Sequence, residues 1–174
     1  MEETSRPFLF LDVESSLMIL LNGDVRDFLE KREFVYLATA AKDGHPYVAP
    51  KFLIHLDEDH IYLADFVLGR TIQNLKARAH ASISVINMDN LIGYQINGTA
   101  KVFEEGAEYQ KVLPLIEKRQ MYFSVERIVE GVRAGKKHAH FEMGFPSKLA
   151  VIKFTVKEII NIAPDGRVDR FGGN

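Results

Sequence analysis

The sequence contains no cysteine, so it has neither a disulfide framework nor a thiolate-based metal or redox site. Charge of one sign is also scarce, because 22 basic residues stand against 24 acidic ones and give a formal net charge of −2. A chain with this balance has no overall field that would draw it to a polyanion. We therefore expect no nucleic-acid partner, although a local basic pocket can still hold one small phosphate.

Long hydrophobic runs and linkers are missing as well. The apolar run at residues 17–21 is far too short to span a bilayer, and residues 1–7 are acidic and lack the basic region of a secretory signal. Repeats, low-complexity tracts and Pro/Gly/Ser-rich linkers are absent. We expect a single domain over residues 1–174, a cytoplasmic location and no membrane partner.

The residues that are present suit a globular protein, with 47% hydrophobic and 26% charged. Residues 34–41 and 46–56 flank an Asp43-Gly44 turn and predict a β-hairpin. Further strands are predicted at residues 60–66, 81–86, 93–103 and 149–160. Gly98 lies within the strand predicted at residues 93–103 and indicates a bulge or a close approach by another backbone or a ligand. The predicted fold class is mainly β (α+β), a six-stranded antiparallel barrel with peripheral helices.

Helical patterns fall between and around these strands. Helices are predicted at residues 12–22, at 25–32 after an Asp24 cap, at 69–78, at 107–123, and from a Ser124 cap to about 131 or 135. Residues 107–148 therefore form a helical insertion in the barrel. Insertions on a shared scaffold tend to carry specificity, so we expect specificity to lie there.

The stretch at residues 68–78 follows a strand directly and is the most informative motif. Its first backbone N–H groups, the Thr71 hydroxyl and the Arg70 guanidinium would converge on one point, which suits a phosphate monoester. The alternative is an ordinary helix start with a solvated basic face. The spacing alone leaves both interpretations open.

Seven motifs that follow one another along residues 24–104 favour the phosphate site over an ordinary helix start. They are residues 34–41, 43–46, 48–52, 61–64, 69–71 with Asn74 and Leu75, 81–85, and 95–100. Together they resemble the pyridoxamine 5′-phosphate oxidase-like, FMN-binding split-barrel family. The resemblance implies a split β-barrel that binds FMN non-covalently at the interface of a homodimer.

The resemblance also implies which residues hold the cofactor. The FMN phosphate would lie against Arg70, Thr71 and Asn74, with Lys51 reaching in from the neighbouring strand. The alternative for Lys51 is an exposed strand lysine.

The isoalloxazine edge would lie along the backbone of Pro50-Lys51 and Ala64-Asp65, since a flavin offers a row of donors and acceptors that a strand can match. Gln95 would reach the ring from the second subunit, and its alternative is a solvent-facing polar residue.

The expected function is that of an FMN-dependent oxidoreductase acting on an unidentified small molecule, with NAD(P)H as a candidate electron donor. Pyridoxamine phosphate oxidation is not expected, because the Arg-x-x-x-x-Lys strand and the C-terminal arginine and histidine segment of that enzyme are missing. Two alternatives stay open: the same barrel with a deazaflavin or haem, and a flavin-binding module without turnover.

A histidine cluster offers a second constellation. In a strand, His138, His140 and Glu142 would share one face and could supply ligands to a divalent metal or a haem iron. The alternative is a solvated polar loop or a loop that covers the flavin edge. No catalytic residue is identified, because no nucleophile has a convincing adjacent base.

Overall fold

The computed structural model describes residues 21, 23–135, 146 and 148–173. Apart from Leu21, the expected helix at residues 12–22 lies outside these described residues, as does the cluster of His138, His140 and Glu142. Within the described part of the chain, no helix combines the length and the apolar character needed to cross a membrane.

Three helices and seven strands make up the described chain. In chain order they are α1 (Gly23–Glu30), β1 (Phe34–Ala40), β2 (Pro46–Leu56), β3 (His60–Asp65), α2 (Arg70–Ala77), β4 (His80–Ile86), β5 (Gly93–Phe103), α3 (Ala107–Arg133), β6 (Ala150–Ile162) and β7 (Val168–Gly172).

The strands form a closed antiparallel barrel. Hydrogen-bonded neighbours follow the order β3-β2-β1-β4-β5-β6, and pairing of β3 with β6 closes the ring. The predicted six-stranded antiparallel barrel is confirmed. Strand β6 is long enough to pair with β3 through its first half and with β7 through its second half, so β7 lies outside the ring.

The barrel interior is filled by alternate residues of its strands, as a period of two requires. Leu37, Leu53 and Ile83 are among the fully buried side chains. Ile72 and Leu75 of α2 belong to the same core, so α2 packs its apolar face onto the barrel interior.

A second apolar layer covers the outside of β2, β3 and β6. Val112 and Ile116 of α3 pack there against Phe52, Ile54 and Tyr62. The start of α3 is further held by Glu108, which accepts hydrogen bonds from the Tyr62 hydroxyl at 2.9 Å and from Lys153 Nζ at 3.1 Å. These two bonds, that of Lys153 first, lower the pKa of Glu108.

Two local predictions about turns and bulges are confirmed. In the β1-β2 hairpin, the His45 N–H donates to Asp43 Oδ1 and Gly44 has a φ of 91°, a conformation that glycine adopts without strain. The β5-β6 register shifts between Asn97 and Gly98, and the extra residue is Lys157, so the bulge lies on β6 opposite Gly98. Gly98 itself lies where the β6 backbone approaches closely, because a Cβ there would be 2.0 Å from the Thr155 carbonyl oxygen.

The structure differs from the sequence-based expectation in two elements. The two helices predicted on either side of Ser124 are one continuous helix, α3, because Phe123 packs into the fold and Ser124 sits inside the helix. Strand β7 was not predicted, since all five of its residues are exposed and only its pairing with β6 makes it a strand.

Candidate functional site

A buried ion pair lies at one end of the barrel. Lys51 stands opposite Val35 in the β1-β2 ladder, so its side chain shares the inward face with that core residue. Lys51 Nζ lies 2.8 Å from Asp65 Oδ2, and the two residues are 5% and 1% exposed. The exposed-lysine alternative for Lys51 is therefore wrong, because its ammonium is held inside by Asp65.

The second carboxylate oxygen of Asp65 organises the loop that follows β3. Asp65 Oδ1 accepts the backbone N–H groups of Val67 at 2.9 Å and Leu68 at 3.2 Å. Leu68 has a φ of 53°, a left-handed conformation that costs free energy for a residue with a side chain. Asp65 thus holds a tight turn that sets the direction in which α2 begins.

Helix α2 begins without a side-chain cap. Gly69 precedes it, and among the residues that the structure describes no side chain caps the N–H groups of the first turn. Arg70 is exposed at this end, whereas Thr71 is buried. The first N–H groups of the helix, the positive end of its dipole and the exposed Arg70 therefore lie at the same end of α2, an arrangement that suits a phosphate.

The rest of α2 is tied to the barrel and the hairpin. Asn74 is buried, and its Nδ2 donates to Thr39 Oγ1 of β1 at 3.1 Å. At the far end, Arg78 Nη2 donates to the Lys42 carbonyl at 2.8 Å. The helix is therefore held at both ends, and its first turn has a defined position relative to β1 and β2.

The barrel wall is open beside this helix start. Strand β2 pairs with β1 from Pro46 onward but with β3 only from Phe52 onward. The Leu53 N–H donates to the Glu33 carbonyl, and bonded pairs alternate along an antiparallel ladder, so the Pro50 carbonyl faces the unpaired edge. Within the described chain, the backbone groups along this edge of β2 before Phe52 have no partner strand.

The other residues predicted to contact the isoalloxazine ring, Ala64, Asp65 and Gln95, do not lie on this edge of β2. Ala64 pairs with Phe52 and Asp65 pairs with Ala150, so both residues lie within ladders. Gln95 is half-buried on the outer face of the barrel, where the cross-strand register aligns it with Ser84 and Tyr36. Its Nε2 donates to Asn97 Oδ1 at 3.1 Å, so it is not a simple solvent-facing residue.

Most of the residues predicted to bind the cofactor therefore lie close together, and Gln95 lies apart from them. Pro50, Lys51, Asp65, Arg70 and Asn74 lie on adjoining parts of β2, β3 and α2. Gln95 lies two strands beyond β1 on the outer wall.

Sequence reasoning predicted Asp65 only for its backbone, and it did not identify Thr39 at all. The Asp65 side chain and the Thr39 hydroxyl both hold the helix that carries Arg70. Two polar residues within apolar strands, Lys51 and Asp65, were the available signal, because such residues are rarely buried without a partner.

The fold and the site together define a split-barrel protein. A family model described as pyridoxamine 5′-phosphate oxidase matches residues 21–162. The chain belongs to this family, and the resemblance found in residues 24–104 is confirmed and extends through β6.

Known proteins agree with this assignment. An uncharacterized protein of Methanocaldococcus jannaschii is 31% identical over 91 residues, which are 51% of this chain and 60% of that relative. The alignment therefore spans less than two thirds of the relative.

Three solved structures share the fold. A Clostridium acetobutylicum protein related to general stress protein 26 of B. subtilis has a TM-score of 0.60 and 13% identity, covering 84% of this chain and 90% of that one. An FMN-binding protein of Nostoc punctiforme has a TM-score of 0.52 and 13% identity, covering 82% and 88%. A heme binding protein of Mycobacterium smegmatis has a TM-score of 0.57 and 16% identity, covering 84% and 55%.

Proposed function

We propose that this protein is an FMN-binding flavoprotein that acts as a homodimer and as a flavin-dependent oxidoreductase on a small molecule. The observation that carries the proposal is the buried Lys51–Asp65 pair, whose carboxylate holds the turn before the uncapped start of α2. The unpaired edge of β2 adjoins that start. A phosphate and a flat heterocycle would use these two features together.

The residues divide into two roles in this proposal. Arg70 and the first N–H groups of α2 would bind the phosphate, with Thr71 beside them, and the Pro50 carbonyl would accept a hydrogen bond from the ring. Lys51 and Asp65 would act as positioning residues, since their charges are already paired. Bound FMN would supply the hydride and electron chemistry, with NAD(P)H as the candidate donor.

The dimer is proposed from the outer wall. Tyr36 and Val48 are each 60% exposed on the outward face of β1 and β2, and Phe34 beside them is also exposed. A contiguous apolar patch of this kind marks an interaction surface. Covering it with a second copy would place the nearby Gln95 against the neighbouring subunit's flavin.

The first test is the absorption spectrum of the purified protein. Flavin bands, with FMN released on heat denaturation and identified by chromatography, are the expected result. A released deazaflavin or a Soret band would support the alternative cofactors. A heme binding protein with the same fold is known from Mycobacterium smegmatis. A colourless protein that fails to bind added FMN would overturn the proposal.

Turnover is a separate question from binding. Mixing the FMN-loaded protein with NADH or NADPH under anaerobic conditions should bleach the flavin absorbance. If neither nucleotide reduces bound FMN faster than free FMN, the non-catalytic flavin-binding module becomes the correct interpretation.

Replacing Arg70 with alanine should weaken FMN binding by about tenfold or more, because a charge-assisted hydrogen bond is worth about 1.5–3 kcal/mol. Arg70 is exposed, so the fold should be unaffected. Lys76→Ala is the matched control, since it removes an exposed cation from the last turn of the same helix. Fluorescence titration of FMN measures both affinities, and equal affinities in the two variants would refute the phosphate site.

Light scattering should give about twice the chain mass of 19.8 kDa at micromolar protein. Tyr36→Arg should shift the protein toward a monomer, because it buries a charge in the proposed interface. Met88→Arg, at another exposed apolar residue, should leave the dimer intact. A monomeric unmodified protein would contradict the proposed dimer.

A further inference from the structure

A second cavity lies on a different side of the barrel from the α2 site. It has a volume of about 690 Å³ and is enclosed by α1, the last residues of β2 and α3. That volume is in the range of small-molecule sites. Ile54 and Leu56 in its lining lie three and five residues beyond Lys51, which is roughly 10–17 Å along the strand.

The lining combines an apolar surface with an excess of cations. Leu115 and the exposed ring of Tyr122 supply apolar surface, and the buried side chains of Ile54 and Leu56 lie behind them. The cations of the lining are Arg26, Lys31, Lys118 and Arg119, and the carboxylates are Asp27 and Glu30. The formal charge of these six residues is therefore positive.

The two lysines of the lining are available to bind an anion, whereas the arginines are not both free to do so. Arg26 is committed, because it pairs with Glu30 at 3.5 Å and donates to the carbonyls of Leu21 and Asp57. Lys31 and Lys118 are exposed, and neither has an ion-pair or hydrogen-bond partner among the residues that the structure describes.

Arg119 is the most constrained cation of the cavity. Its Nη2 donates to the carbonyls of Glu30 at 2.7 Å and Arg32 at 3.1 Å, and its guanidinium lies 4.9 Å from the Phe123 ring centroid. Its Nε–H is buried and has no acceptor within the described chain. Burial lowers the pKa of Arg119, and Glu30, Tyr122, Glu126 and Glu33 act in the opposite direction.

We infer that this cavity binds a small organic anion, a phosphate or carboxylate that carries a compact apolar group. The anionic end would meet Lys31, Lys118 and Arg119, and the apolar group would lie on Leu115 and Tyr122. Such a ligand supplies the negative charge that the lining lacks and covers its apolar surface at the same time. The site is independent of the proposed flavin site.

Phenyl phosphate is a suitable probe, with His55 of the lining as the NMR reporter. Burial lowers the pKa of His55, with Arg26, Lys111 and Arg119 acting in the same direction and Asp57 opposing them. A bound phosphate favours the protonated imidazole, so saturation should raise the pKa of His55. No change in the His55 resonances up to about 10 mM probe, a concentration well above that of a weak specific site, would overturn the inference.

Reversing the charge of a lining lysine then tests whether phenyl phosphate binds in this cavity. Lys118→Glu and Lys31→Glu should each weaken phenyl phosphate binding by about tenfold, or 1.4 kcal/mol. Lys42→Glu, in the β1-β2 turn, is the matched control and should leave the affinity within about twofold. Equal affinity in Lys118→Glu, Lys31→Glu and Lys42→Glu would overturn the assignment.

Two further comparisons separate this site from the others. Arg70→Ala should not change phenyl phosphate affinity, and a loss in that variant alone would assign the anion to α2 instead. Inorganic phosphate should bind about tenfold more weakly than phenyl phosphate, because it cannot cover the apolar surface. Equal affinity of the two anions would refute the apolar half of the inference.

Discussion

Replacing Lys51 with methionine should lower the free energy of unfolding by about 3–5 kcal/mol, the range for breaking a buried ion pair from one side. The side chain of Asp65 is 1% exposed, so its carboxylate would remain in the barrel end without its cation. The two N–H groups that it accepts would offset only part of that penalty. Urea denaturation followed by circular dichroism measures the loss as a lower midpoint.

Two variants control this result. Lys76→Met breaks the exposed pair with Glu104 and should cost only about 0–1 kcal/mol. Adding Asp65→Asn to Lys51→Met should recover stability, because the amide oxygen can still accept the loop N–H groups while the unpaired charge is gone. A Lys51→Met variant as stable as Lys76→Met would show that the pair is not buried in solution.

Gly98→Ala should be the most damaging small substitution in the barrel, with a loss of about 3 kcal/mol or more, or failure to fold. A Cβ at this position would lie 2.0 Å from the Thr155 carbonyl oxygen and 2.9 Å from the Phe154 ring. The first of these atoms is backbone, so β6 itself would have to move. Because β6 closes the barrel with β3, the displacement would affect the ring as a whole.

Gly93→Ala is the matched control on the same strand. The methyl group added there would lie 3.8 Å from its nearest neighbour, Cβ of Ile162, which is an ordinary contact. The control should therefore change stability by no more than about 1 kcal/mol. Thermal denaturation of both variants measures the difference, and similar midpoints would contradict the close approach of β5 and β6 at the bulge.

The sequence predicted the elements whose signals are local. The Asp43-Gly44 turn, the β1 and β2 runs and the bulge or close approach at Gly98 were identified because turn chemistry and side-chain alternation act over a few residues. The start of α2 near Gly69 was identified in the same way. Elements that depend on distant partners were not: β7 has no buried residue, and α3 continues through Ser124 because its neighbours pack.

The site shows the same division. Arg70, Thr71 and Asn74 follow from the helix motif, and the order of seven motifs identified the family that the chain belongs to. The fold decides that Lys51 pairs with Asp65. The two residues are 14 positions apart, so no local sequence pattern predicts their ion pair. The cavity between α1 and α3 likewise joins residues from three separate elements.

By itself, then, the sequence determined the order of the strands along the chain, the antiparallel barrel class and the start of the helix at which we propose that a phosphate binds. Those features rest on short-range periodicity, turn residues and motif order. Only the tertiary structure decided that Lys51 and Asp65 neutralise each other and that β2 keeps an open edge at Pro50. It also decided that Lys31 and Lys118, which have no partner in the described part of the chain, line the cavity between α1 and α3. Each of these depends on long-range packing, where burial and charge pairing set the free energy of a side chain.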